Sequence, residues 1–202
     1  GDWADSTYWH DNHDFDPAVE GWSYEFYDEN ERNRANLTQE IRLSMGSIVL
    51  GGYFKHLKEQ DEATGYLFGG IATDAWSAYD FKEMAGYAQY EHDLTPILRL
   101  KANVRLEQNT MDYEGTSEGL NENWEKVVLP PVEFKVGHSM LGYRGSIHYL
   151  KDEFTSFYGS VSQGYKSGGV NQQPYLSDAS RPFDPEFIQN FEVGLKRATN
   201  IY

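Results

Sequence analysis

Residues 98–107 read LRLKANVRLE, and that stretch restricts the fold more than any other. In an extended chain successive side chains point to opposite faces, so Leu98, Leu100, Ala102, Val104 and Leu106 share one side. Arg99, Lys101, Asn103, Arg105 and Glu107 share the other. A helix would scatter both sets around its axis; only a sheet with one apolar and one wet face keeps them apart. The same period of two recurs elsewhere. It places Ile41, Leu43 and Met45 together in 37–45 and continues through 48–56 and 84–93. It aligns Leu141, Tyr143, Ile147 and Tyr149 against His138, Arg144, Ser146 and His148, and then runs through 155–165. Finally it sets Phe187, Phe191, Val193 and Leu195 against Asn190, Glu192 and Lys196. About seven strands follow, with no amphipathic helix.

The connections alternate in length. Short links fall at Gly46, at Thr95, at 151–153 and at 197–200, whereas 57–82, 110–135 and 166–186 are long, acidic and rich in Gly and Asn. Loops of that length are foreign to a compact soluble domain. Short turns on one rim and long loops on the other are the layout of an outer-membrane barrel. The strand lengths suit a tilted crossing of the hydrocarbon layer, which needs about 9–11 residues. Lipid offers no hydrogen-bond partners, so such a sheet has to close on itself. On this reading Arg99, Lys101 and Arg105 face a watery lumen, and Tyr87, Tyr90, Tyr143 and Tyr149 sit near lipid headgroups. The competing reading is a secreted β-sandwich, a carbohydrate-binding module in which the apolar faces pack sheet against sheet.

Charge and composition remove other classes. The formal net charge is −15, so a nucleic-acid partner is not expected. There is no cysteine, which excludes disulfides and thiolate metal sites. No apolar run reaches the roughly 18 residues that a membrane-spanning helix needs.

Residues 160–173, SVSQGYKSGGVNQQ, resemble the strand-and-loop segment of TonB-dependent outer-membrane receptors. Phe183-Asp184-Pro185-Glu186 and the later run Asn190-Phe191-Glu192-Val193-Gly194-Leu195-Lys196 are similar to the same family's continuation. So are Thr38-Gln39-Glu40-Ile41-Arg42-Leu43-Ser44 and the Gly51–Phe54 run, GGYF, in family order. Gln163 and Val170 depart from the pattern, standing where an arginine and an aromatic are usual. The resemblance implies an all-β, antiparallel transmembrane β-barrel of the 22-stranded kind, of which residues 1–202 form a partial barrel domain. Neither the family's plug domain nor its TonB box is visible, so the chain reads as a middle slice. The implied function is a receptor in the bacterial outer membrane that binds and imports a scarce ligand, most often a ferric siderophore. Its implied partners are TonB, reached through the absent N-terminal region, the ligand, outer-membrane lipid and lipopolysaccharide, the last bridged by divalent cations on acidic loops. Gly164, Gly168 and Gly169 would let the strand bend outward at the rim. Tyr66, Phe68, Trp76, Tyr79, Trp124, Tyr175 and Arg181 are the candidate ligand contacts.

Three other patterns carry less chemistry. His10, Asp11, His13 and Asp14 form a candidate divalent-metal cluster, imidazole and carboxylate suiting zinc, nickel or iron. A solvated acidic segment is the favoured reading there, because nothing presents the two histidines together. Gly115-Thr116-Ser117-Glu118-Gly119 spells a nucleophile elbow, which works only on a strand-to-helix turn, and no helix follows it. Asn36-Leu37-Thr38 spells a glycosylation sequon at the start of an expected strand. No catalytic residues and no cofactor are assigned, and the chain is not expected to be an enzyme.

Overall fold

The computed structural model describes residues 2–14, 24–67, 70–171 and 177–198, with side chains described for 28–66, 71–171 and 177–198. In chain order the strands are β1 (Asp2–Asp14), β2 (Tyr24–Met45), β3 (Ile48–Leu67), β4 (Gly70–Thr95), β5 (Leu98–Leu120) and β6 (Lys126–Val128). They continue as β7 (Val132–Leu150), β8 (Thr155–Lys166), β9 (Gly169–Val170), β10 (Pro182–Phe183) and β11 (Glu186–Arg197). Eight long strands form one antiparallel meander, β1-β2-β3-β4-β5-β7-β8-β11. β6 extends the far end of β5, and β9 pairs with β10 apart from the main sheet.

Turn chemistry fixes the register at the short-turn rim. Gly46 adopts φ +55°, the left-handed conformation that a tight hairpin needs and a side chain resists. Pro96 and Ile97 turn β4 into β5. After β7, the Asp152 carboxylate accepts the Phe154 amide at 2.9 Å and closes the turn into β8.

From these turns the register builds rows across the sheet. Leu43, Leu50, Ala88, Val104 and Tyr143 form one row on the outer face; Ile41, Gly52, Gly86, Leu106 and Leu141 form the next. This face stays open: Ile41 is 79% exposed and Val193 90%. A sandwich would cover it with a second sheet, and no such layer exists among the described residues. Tyr149 and Phe157 stack on it beside the short turns, ring centroids 6.3 Å apart. Aromatic rings at that depth match the girdle of a membrane barrel.

The inner face is polar. Arg99 and Lys101 lie against Glu91, and Arg105 donates to Glu83 at 2.9 Å and to Glu107 at 2.7 Å. Tyr90, Tyr143 and Tyr149 take the outer positions expected of them, but Tyr87 does not. It belongs to the inner row with Gly51 and Arg105, where Arg42 donates to its hydroxyl at 3.1 Å and the hydroxyl bonds Glu40. Its ring lies over Gly51, as Tyr158 lies over Gly194; a Cβ at either glycine would overlap the ring.

Two of the three stretches expected as long loops are largely strand. β3 and β4 pair from Leu67 and Gly70 back through 57–82, and β5 pairs with β7 out to Gly115 and Val132. The apolar–polar alternation of the band is lost there because the outer face turns polar while Phe81, Met111 and Tyr113 put apolar groups on the inner face. Ion pairs carry that region instead, across strands for Lys58 with Asp80 and for Lys135 with Asp112 at 3.0 Å, and along β4 for Lys82 with Asp80. The sheet thus continues well past its apolar band. Its small buried core (Phe81, Met111, Tyr113 and Val170) sits on the inner face of this extension.

Candidate functional site

The site grows out of the way the chain leaves β8. Pairing of β8 with β7 ends at Gln163 opposite Tyr143, while pairing with β11 runs on to Lys166. Gln163 Nε2 donates to the Leu141 carbonyl at 2.9 Å. Freed from β7, Tyr165 swings inward, donating to Glu107 at 2.9 Å and accepting from Arg105 Nε at 3.1 Å. Asn109 Nδ2 then donates to Ser167 Oγ at 2.5 Å. The next residues lie along the inner wall, and Val170 packs against Phe81, Met111 and Tyr113.

This direction is opposite to the outward bend expected from Gly164, Gly168 and Gly169. None of the three has a positive φ. Gly168 is required for close approach: a Cβ there would lie 2.5 Å from the Phe183 carbonyl oxygen and 2.7 Å from His138 Cε1. At Gly169 it would stand 3.0 Å from Met111 Cε. At Gly164 it would meet only Ile188, at an ordinary 3.6 Å.

The returning strand β10 is preceded by a 3₁₀ turn, Asp178–Ser180, which delivers Arg181 into the wall. The Arg181 carbonyl accepts the Asn171 amide at 2.8 Å, and its side chain is buried against Tyr113. Arg181 Nε has no hydrogen-bond partner; the nearest carboxylate oxygen, on Asp178, is 4.0 Å away. Beside it opens a cavity of about 260 Å³, bordered by Asp28, Asp61, Tyr113, Glu118, Val132 and Arg181. Arg32 engages Asp61 through Oδ2 while its buried Oδ1 has no hydrogen-bond partner, and Lys126 engages Glu118. The cavity therefore presents a desolvated guanidinium with an unspent donor.

Tyr79 flanks the same core, stacked on Phe81 at 6.1 Å and 7°. Burial pushes its hydroxyl up to about 12, and burial raises that of Tyr113 as well. A folded-state value above the unfolded one means that the stabilisation is complete below about pH 10 and fades as pH climbs through the folded value. The parent-minus-Tyr79→Phe difference in tyrosinate absorbance of the full-length receptor should accordingly appear only near pH 12. A difference spectrum that titrates at pH 10 would mean that Tyr79 is solvated.

Of the other candidates, Tyr66 stands at the β3 bulge between Gly65 and Tyr66. Trp76 borders the cavity, but it pairs with Glu62 and Thr116 on the face away from Ser77 and Tyr113. Trp124 caps the β5–β6 turn, 64% exposed and at φ 63°, and does not border the cavity. Phe68 and Tyr175 lie outside the described residues. From the expected set Arg181 faces the cavity, Trp76 borders it with its side chain on the opposite face of the sheet, and Trp124 stands apart. Tyr113, Asp28 and Asp61 escaped the sequence reading. A signal for Tyr113 existed, because Met111 and Tyr113 continue the inward alternation of Arg105, Glu107 and Asn109.

His10, Asp11, His13 and Asp14 lie on β1, opposite Asp28, Tyr27, Glu25 and Tyr24, in strand and not in a loop. Their side chains are outside the described set. Residues 115–119 are interior to β5, so the Gly-x-Ser-x-Gly pattern makes no elbow.

A meander that is apolar outside and charged inside, tightly turned at one rim and prolonged beyond the other, is the wall of an outer-membrane β-barrel. The sequence model described as "TonB dependent receptor-like, beta-barrel" matches residues 1–202, and the chain belongs to that family, whose members reside in the bacterial outer membrane. The fold is similar to that of the ferric yersiniabactin uptake receptor FyuA from Yersinia pestis, with TM-score 0.66, 17% identity and 88% of this chain covered. The ferric-catecholate import receptor Fiu from K12 E. coli also matches, with TM-score 0.49 and 16% identity over 87% of this chain. The chain spans 27% of the former receptor and 29% of the latter. No curated protein sequence matches it.

Proposed function

We propose that this chain is part of the wall of an outer-membrane receptor that captures a ferric siderophore outside the cell and imports it with energy relayed by TonB. The observation that carries this reading is the in-folded β9–β10 segment, which brings Arg181 against Tyr113 of β5 on a lumen-side cavity beyond the apolar band. Siderophores hold iron through anionic oxygens. A buried guanidinium with a free Nε donor is the group that recognises such oxygens most strongly, because a charge-assisted hydrogen bond gains where water is excluded. Tyr79 and Tyr113 supply aromatic surface beside it. Family membership and the likeness in fold to a ferric-siderophore receptor support the same substrate class. Lipid and lipopolysaccharide surround the wall.

The test is ligand binding by the full-length receptor, followed by fluorescence quenching with a panel of ferric siderophores. Arg181→Ala should weaken the best ligand about tenfold or more, in line with a lost hydrogen bond to a charged group of about 1.5–3 kcal/mol. Arg181→Lys should restore part of it. Unaltered affinity in Arg181→Ala, with the barrel intact by heat-modifiable gel mobility, rules out this cavity as the ligand subsite.

A further inference from the structure

The outer face carries a feature that ligand import does not use. In the row Ile41, Gly52, Gly86, Leu106, Leu141, the two adjacent glycines leave a hole, and a Cβ at either would meet nothing within 4 Å. The hollow deepens into a groove of about 720 Å³ among Ile41, Phe54, Met84 and Leu106. Toward the long rim the face then turns polar, with lysines in two rows and Glu114 opposite Glu133 in the row after them. One row beyond Phe54 and Met84 stand His56 and Lys82, and beyond them Lys58 and Asp80.

Two ammonium groups and an imidazole converge on a single carboxylate. His56 Nε2, Lys82 Nζ and Lys58 Nζ lie 3.0, 3.5 and 3.7 Å from Asp80. One carboxylate cannot neutralise two ammonium groups. Farther along the same row Lys135 already holds Asp112, so the excess is local even in a chain of net charge −15. Both lysines are accessible, with side chains 65% and 50% exposed. Two residues of strand separate Lys82 from Met84, about 7 Å along the strand and about 5 Å in depth at the tilt of a barrel strand. That matches the headgroup zone of one leaflet, roughly 5–8 Å deep.

We propose that this surface binds an anionic phospholipid of the outer leaflet, with the phosphate between Lys58 and Lys82 and one acyl chain in the Gly52–Gly86 groove. The groove supplies apolar contact on the lipid side of the wall, and the lysines supply charge at the depth where a phosphate sits. A zwitterionic lipid would fill the groove but gain little from the lysines.

The experiment is native mass spectrometry of the delipidated full-length receptor titrated with palmitoyl-oleoyl phosphatidylglycerol or phosphatidylcholine. The parent should retain one phosphatidylglycerol in preference to phosphatidylcholine. Lys58→Gln and Lys82→Gln should each lower that retention about fivefold, in keeping with the attraction of one basic residue to an anionic membrane surface. Gly52→Leu with Gly86→Leu fills the groove and should reduce retention of phosphatidylglycerol with both lysines intact. Equal retention of the two lipids by the parent overturns the proposal. So does unchanged retention in the lysine variants, which are exposed enough to leave folding alone. If the glycine variant instead converts a dimer to a monomer without altering lipid retention, the groove belongs to a second copy of the chain, and the proposal fails.

Discussion

Val104→Arg should destabilise the assembled receptor by about 2–4 kcal/mol, the penalty for a cation at the bilayer midplane on the lipid face of a barrel. Gln89→Arg, at the same depth, should change stability by no more than about 0.5 kcal/mol. The two positions differ only in the face they occupy. Val104 lies in the outer row between Ala88 and Tyr143, while Gln89 pairs with Asn103 on the inner face, flanked along its strand by Tyr87 and Glu91. An arginine at position 104 has no partner and no water, and it reaches an interface only by bending past Leu106 or Tyr143. At position 89 it finds a wet lumen and the nearby Glu91 carboxylate. Urea unfolding of the full-length receptor in lipid vesicles, followed by tryptophan fluorescence, measures both shifts. Equal shifts for the two variants would mean that the outer face is not in lipid, and the barrel reading would fall with them.

That contrast also marks how far the sequence could be read. Where one face meets lipid and the other water, polarity itself records the pleat, and 98–107 declares both strand and register. The hairpins around Gly46 and Pro96 were legible for the same reason. Past Met84 and Gln108 the outer face turns polar, and the code is lost: Asp80, Asp112 and Lys135 look like loop residues until their cross-strand pairing is seen. The candidate site lies in that silent region. Arg181 was picked out as a loop cation, but its burial depends on the inward turn after Gln163, which no local pattern announces. Tyr87 was misplaced because an aromatic suits either a lipid interface or a ring laid over a lumen glycine, and only its partner Gly51 decides between them.

The inward turn makes the three glycines of the resemblance segment unequal, and Gly168→Val should expose the difference. Its Cβ would fall 2.5 Å from the Phe183 carbonyl oxygen and 2.9 Å from the Asp184 carbonyl carbon, both backbone atoms of the returning strand. Backbone held by strand pairing cannot retreat as a flexible side chain does, so the β9–β10 pair has to lift from the wall. Overpacking of this kind costs about 1–3 kcal/mol. It falls on one small unit, because β9 and β10 bond each other and not the main sheet. The consequence is local opening with the barrel left standing. Hydrogen exchange of the Asn171 amide, which donates to the Arg181 carbonyl at 2.8 Å, should accelerate about 10- to 100-fold. Exchange in the Leu43–Leu50 hairpin should be unaffected, and the variant should bind its ligand as weakly as Arg181→Ala. Gly164→Ala, whose Cβ meets only Ile188 at 3.6 Å, should change none of these. If Asn171 exchanges at the parental rate in Gly168→Val, the segment is not held by close packing at Gly168, and the cavity that depends on it has no wall.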